Sequence, residues 1–190
     1  MNNIKIIYDT MNDLPENMKE KYDIDMLPAT IIFQGKEYKA GVDIDNDEFY
    51  KLLRNNKEIP TTSQVTYITF KETFEKYLNE GKKVLYLAGS SSASGTYQSA
   101  ILAKNDIDSK ITIFDTLNLS IGSGALVIKA CEMVEEGLSV EEIVKNLENI
   151  KNNVGIFFSV DTLEYLKRGG RISSTKAALG NLLNIKPILT

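Results

Sequence analysis

Residues 84–104 read Val84-Leu85-Tyr86-Leu87-Ala88-Gly89-Ser90-Ser91-Ser92-Ala93-Ser94-Gly95-Thr96-Tyr97-Gln98-Ser99-Ala100-Ile101-Leu102-Ala103-Lys104, and this stretch decides the fold. An unbroken apolar run at 84–88 is the pattern of a strand buried on both faces. Small residues follow at 89–95, and a helical pattern begins at Tyr97. Strand, small-residue loop and helix make the repeating unit of a parallel α/β sheet, because parallel neighbours need a crossover between them.

The same grammar extends in both directions. Residues 4–8 are a short apolar run closed by Asp9-Thr10, and residues 111–114 are another, closed by Asp115-Thr116. A long apolar helix seeded with Gly122, Gly124 and Ala125 is expected over 121–134, and a further strand over 154–160. Residues 26–33 are rich in β-formers and turn at Gln34-Gly35-Lys36 into Glu37-Tyr38, which predicts a hairpin. Asp45-x-x-Glu48, Ser139-x-x-Glu142 and Asp161-x-x-Glu164 each have capping-box spacing before a helical pattern. Phe70, Phe74, Tyr77 and Leu78 recur at helical spacing, after a polar loop at 58–64. The helix after Glu164 should stop at Gly169-Gly170. Residues 177–183 read as helix and 185–189 as a final strand.

The fold class expected is therefore α/β, a mainly parallel sheet flanked by helices. It closes near residue 150. Residues 151–190 are too few for an independent core, so they are expected to be the start of a second α/β domain, apparently truncated. The organisation expected is 1–150 and 151–190.

Composition narrows the chemistry. The 190 residues include no His, no Trp and one Cys, and carry a net charge of −4. Without histidine there is no Ser-His-Asp or Cys-His site, and one Cys cannot replace the missing imidazoles at a zinc site. One Cys also forbids an internal disulfide. No stretch approaches the ~20 apolar residues of a membrane span, and the start lacks a signal-peptide core, so a cytoplasmic protein is expected. Residues 151–190 hold six basic residues and two acids, a local +4 that leaves −8 on the rest. An acidic body with a small basic tip is a poor nucleic-acid binder and suits a local anion site or an acidic partner. Solvated helix ends explain the same basic residues.

Small hydroxyl residues gather where ligands sit in such sheets, beyond the carboxyl ends of the strands. They are Asp9-Thr10, the loop Ser90-Ser91-Ser92-Ala93-Ser94-Gly95-Thr96, and Asp115-Thr116. A fourth polar segment, Thr61-Thr62-Ser63-Gln64, precedes a helix. Hydroxyls and free backbone N–H groups both suit a carboxylate head group, while N-caps and turns account for Ser and Thr at helix starts equally. There is no G-x-G-x-x-G and no G-x-x-x-x-G-K-[ST], and no cofactor is implied. Gly122-Ser123-Gly124 fits close helix packing, or else room for a slender apolar ligand. In Lys167-Arg168-Gly169-Gly170-Arg171 a guanidinium stands on each side of a glycine turn, a geometry suited to a carboxylate or phosphate.

Together these segments resemble the DegV family. The resemblance is carried by Thr62-Ser63-Gln64, by Ser94-Gly95-Thr96-Tyr97-Gln98-Ser99-Ala100, and by Leu163-Glu164-Tyr165-Leu166-Lys167-Arg168-Gly169-Gly170-Arg171-Ile172-Ser173. Leu182-Leu183-Asn184-Ile185-Lys186-Pro187, Asp9-Thr10 and Gly41-Val42-Asp43-Ile44 agree with it. The resemblance implies a bacterial fatty-acid-binding protein of two α/β domains that does no catalysis itself. A long-chain fatty acid would lie in a tunnel of the first domain. Its carboxyl group, at the domain interface, would be presented to a fatty acid kinase subunit for acyl phosphate formation and phospholipid synthesis. Carried over to this sequence, the ligand-binding residues are Thr62, Ser63, Ser94, Gly95 and Arg171. Met26, Leu27, Ile121 and Leu126 are tunnel candidates from apolar pattern alone. The sequence departs from the family pattern at Thr10, usually Ser, and at Val65, usually Pro. Family chains also continue beyond the Lys186-Pro187 strand and carry there a His-containing glycine motif. The competing reading is a small enzyme acting on a carboxylate or phosphate, with Asp9 or Asp115 as the base.

Overall fold

A computed structural model describes residues 3–56, 58–107, 110–173 and 188–189. Four strands form the central sheet: β1 (Ile4–Asp9), β2 (Asp25–Leu27), β6 (Lys83–Ala88) and β7 (Ile111–Asp115). Their order is β2-β1-β6-β7, and every pairing is parallel. The buried runs at 4–8, 84–88 and 111–114 thus become strands as the sequence predicts. The order reverses between β1 and β6, so the crevice beyond their carboxyl ends is the natural ligand position of such a sheet.

The strands alternate two faces. Ile6, Tyr8, Leu85, Leu87 and Phe114 pack against helices α5 (Ser120–Glu135) and α6 (Val140–Lys151). Ile7, Val84, Tyr86, Ala88 and Ile111 pack on the other side against α3 (Tyr67–Asn79) and α4 (Thr96–Asn105). The side chains of Ser139 and Glu142 cap each other's backbone in a full capping box. Asp45 caps α2 (Asn46–Asn55) by accepting from Glu48 N.

Other expectations are corrected. The β-rich stretch 26–33 is not one strand. β2 ends at Leu27, Pro28 brings no N–H for a ladder, and the chain crosses to a second sheet in which β3 (Thr30–Phe33) is the middle strand. β3 turns at Gln34 (φ 52°) and Gly35 (φ 72°) into β4 (Lys36–Lys39), the expected hairpin with a primed two-residue turn. The polar loop expected over 58–64 contains β5 (Thr61–Ser63), antiparallel to β3, with Ile31 opposite Thr62 and Thr30 opposite Ser63. A short helix, α1 (Glu16–Tyr22), links β1 to β2; it buries no residue and left no apolar signature.

In the strand expected over 154–160, only β8 (Phe158–Ser159) pairs, with β9 (Ile188–Leu189). Phe157 is exposed, and Ile156 leans on Gly122. Helix α7 (Glu164–Arg168) ends at Gly169-Gly170 as expected, but Thr162 Oγ1, not Asp161, accepts from Glu164 N at 3.2 Å. The expected helix at 177–183, the 182–187 motif and most of the last strand lie outside the described residues. Among the described residues, no helix is long and apolar enough to cross a membrane.

Candidate functional site

The site is built on the loop that ends β1. Asp9 is 2% exposed and closes the strand by capping the 3-10 turn Thr10–Asn12. Its Oδ1 accepts from Met11 N at 2.8 Å. Its Oδ2 accepts from the Tyr86 hydroxyl at 2.5 Å and from Gly89 N at 3.2 Å. Burial pushes the Asp9 carboxyl above its ordinary value, against the three bonds that lower it. Thr10 Oγ1 accepts from Ala29 N at 3.1 Å and so ties β1 to the point where the chain leaves for the small sheet.

The loop after β6 folds on itself. Ser90 O accepts from Ala93 N and Ser94 N at 3.1 and 3.3 Å, and Asp115 Oδ1 accepts from Ser91 N at 3.2 Å. Ser94 Oγ accepts from Thr96 N at 3.2 Å and donates to Thr96 Oγ1 at 3.0 Å. Thr96 Oγ1 also accepts from Val65 N at 3.3 Å, which fixes the end of the β5 segment to the start of α4. Gly95 has no side chain because Gln64 occupies that space: a Cβ there would stand 1.9 Å from Gln64 Oε1. Gln64 Nε2 in turn donates to Ser99 Oγ at 2.8 Å.

Arg171 reaches this loop from the far end of the described chain. Its Nη2 donates to Ala93 O at 3.2 Å and its Nη1 to Gly169 O at 2.5 Å. The guanidinium therefore bridges the glycine turn after α7 and the serine loop after β6.

All five candidates from the sequence, Thr62, Ser63, Ser94, Gly95 and Arg171, line one cavity of about 600 Å³. Asp9, Thr10, Gln64, Thr96 and Tyr165 add to its polar wall. Met11, Ala29, Ile31, Ala40, Leu119 and Leu166 give it apolar surface. A neighbouring cavity of about 720 Å³ shares Ala93, Leu119 and Arg171 with it. The arrangement offers hydroxyl and backbone donors and one guanidinium, facing a largely apolar floor.

None of the four tunnel candidates lines this cavity. Leu126 and Leu27 are buried in the cores on opposite faces of the sheet, Met26 packs on the Leu126 side, and Ile121 is 71% exposed. Apolar periodicity reports burial, not what does the burying. The slender-ligand reading of Gly124 fails for a similar reason. A Cβ there would meet the Asn12 carbonyl oxygen at 2.4 Å, and Ser123 Oγ donates to Met11 O at 3.3 Å, so the small residues seat α5 on the 3-10 turn.

Asp115, like Asp9, closes a turn: its Oδ1 accepts from Leu117 N at 3.1 Å as well as from Ser91 N. These carboxylates hold the loops after β1, β6 and β7 in place. Sequence reasoning missed Gln64 and Thr96 as wall residues, although both lie within the motifs quoted above. Ala29, Ile31 and Ala40 gave no signal, because their position depends on the crossing at Pro28.

The DegV family profile, described as that of an uncharacterised protein, matches residues 3–190. A DegV domain-containing protein of Caldanaerobacter subterraneus subsp. tengcongensis is 45% identical over 192 residues, covering 100% of this chain and 68% of that protein. Among solved structures, a DegV family protein from Thermus thermophilus, described for its fatty acid binding, superposes with a TM-score of 0.87 at 36% identity. That match covers 99% of this chain and 67% of the other. DegV from Bacillus subtilis, described as a fatty acid binding protein, gives 0.88 at 35% identity over 100% of this chain and 68% of the other.

Proposed function

This chain belongs to the DegV family, and on that premise we propose that it binds a long-chain fatty acid and carries it without converting it. The carboxyl group is received by Thr62, Ser63, Ser94 and the backbone at Gly95, with Arg171 beside it. The acyl chain runs over the apolar floor of Met11, Ala29, Ile31 and Leu119. The observation that carries the reading is the convergence of all five residues on one cavity from three separate segments of chain. Hydroxyl donors and a guanidinium favour an ionised carboxylate over an alcohol or amine. The loop carboxylates Asp9 and Asp115 are held by backbone N–H groups, which supports a binder over an enzyme using either as its base.

The finer reading has the protein present this carboxyl group, in the cytoplasm, to a separate kinase subunit that forms the acyl phosphate. In this reading residues 1–150 form the acyl-binding α/β domain, and residues 151–190 begin a second. Organic extraction of the purified natural full-length protein, followed by mass spectrometry, tests the first statement. A stoichiometric long-chain fatty acid is expected. Protein that never carries one, even after incubation with excess fatty acid, overturns the reading.

A further inference from the structure

Two hydroxyls of the cavity wall, Thr10 and Thr96, accept a backbone N–H, which restricts the direction of the proton each carries. Thr10 Oγ1 accepts the Ala29 N–H at 3.1 Å, and the next peptide group is held as well, because Ala29 O accepts from Ala40 N at 2.9 Å. A hydroxyl has one proton and two acceptor positions. The Thr10 proton is turned away from the Ala29 N–H, and among the described residues no protein group accepts it. Thr10 lines the cavity.

The other hydroxyls are placed differently. Ser94 already donates to Thr96 Oγ1 and must turn to meet a ligand. Thr62 and Ser63 stand exposed on an edge strand, where no protein bond among the described residues fixes their rotors. Thr96 Oγ1 accepts from both Val65 N and the Ser94 hydroxyl and is only 4% exposed, so Thr10 is the more accessible of the two hydroxyls oriented by a backbone amide, and its proton is unused among the described residues.

We propose that Thr10 is a further head-group residue, donating its hydroxyl proton to an oxygen of the bound carboxylate from the β1 end of the cavity. This rests on the reading of the cavity as a carboxylate site. The Ala29 N–H acts as the positioning group, so the donor needs little ordering when the ligand arrives. Thr10 thereby has two roles: it fastens the small sheet to the large one, and it reads the ligand's charge.

The test separates these roles. Wild type, Thr10→Ser and Thr10→Val proteins, stripped of lipid, are titrated with hexadecanoate and with hexadecan-1-ol. Thr10→Ser should match wild type for both. Thr10→Val should weaken hexadecanoate about tenfold or more beyond any effect on hexadecan-1-ol, because a bond to a charged group is lost. Thr10→Cys, a weak donor of similar size, should fall between and serves if the valine variant does not fold. Equal losses for both probes, or no loss for either, overturn the proposal while the fatty-acid reading stands. Wild type that binds neither probe overturns both.

Discussion

The Tyr86 hydroxyl donates to Asp9 Oδ2 at 2.5 Å across the β1–β6 pairing, and both residues are almost wholly buried. This bond lies at the reversal of strand order, under the candidate site. Asp9 holds Met11 on one side and Gly89 on the other, so it sets the spacing of the two loops that carry Thr10 and Ser94.

Asp9→Asn should cost about 1–3 kcal/mol at neutral pH, because one of three donors would face an amide NH₂. The pH dependence has a definite sign. Burial raises the folded carboxyl above 3.8, so folded Asp9 binds its proton more tightly than unfolded Asp9. Its contribution to stability is full below 3.8 and declines as pH rises through the raised folded value. The asparagine variant lacks this titration. The stability gap between wild type and variant should widen as pH falls through that window, then level off, as read by urea unfolding at a series of pH values.

Thr62→Ala combined with Ser94→Ala should weaken a fatty acid far more than the matching alcohol. Each lost bond to a carboxylate is worth about 1.5–3 kcal/mol. Their stability costs differ: Thr62 is exposed and should cost little, whereas Ser94 caps Thr96 N and should cost about 1 kcal/mol. Calorimetric titration with both ligands, paired with thermal melts, checks each part.

Two glycines should respond oppositely to alanine. At Gly124 the new methyl meets a backbone oxygen at 2.4 Å, and overpacking of this kind costs about 1–3 kcal/mol. At Gly95 it meets the end of the exposed Gln64 side chain, and the backbone (φ −72°) accepts alanine. Gly95→Ala should therefore fold nearly as well as wild type yet break the Gln64–Ser99 bond and disturb ligand binding. A large melting-temperature loss in Gly95→Ala alone would contradict this.

The Cys131 thiol is pushed up to about 12 by burial and by Glu135. Reaction needs the thiolate, so the folded protein should resist alkylation at pH 8. Iodoacetamide labelling followed by mass spectrometry should show modification rising only with denaturant.

The parallel sheet was legible in the sequence because β6 is buried on both faces and becomes an unbroken apolar run, while β1 and β7 are predominantly apolar runs interrupted by one residue each, Lys5 and Thr112. α1 was not, since Glu16–Tyr22 buries nothing and carries no periodicity. β5 was not either: Thr61–Ser63 is fully exposed, and its strand character comes wholly from pairing with β3. The site was half legible. Hydroxyls at successive strand ends marked the crevice, and the family resemblance singled out Thr62, Ser63, Ser94, Gly95 and Arg171. The apolar floor was not legible, because Ala29, Ile31 and Ala40 reach it only after Pro28 sends the chain into a second sheet.

The cavity wall draws on Thr10, Ala29, Thr62, Ser94 and Arg171, so its closing contacts are separated by long stretches of chain; the Arg171–Ala93 bond alone spans 78 positions. Contacts of such separation form late, after the loop-closure entropy has been met. During synthesis, the β1 and β6 ends can meet once Gly89 has emerged, but the guanidinium arrives some eighty residues later. Ligand capture through all of these groups is therefore reserved for a chain that has finished folding, and a bound molecule would stabilise only that state.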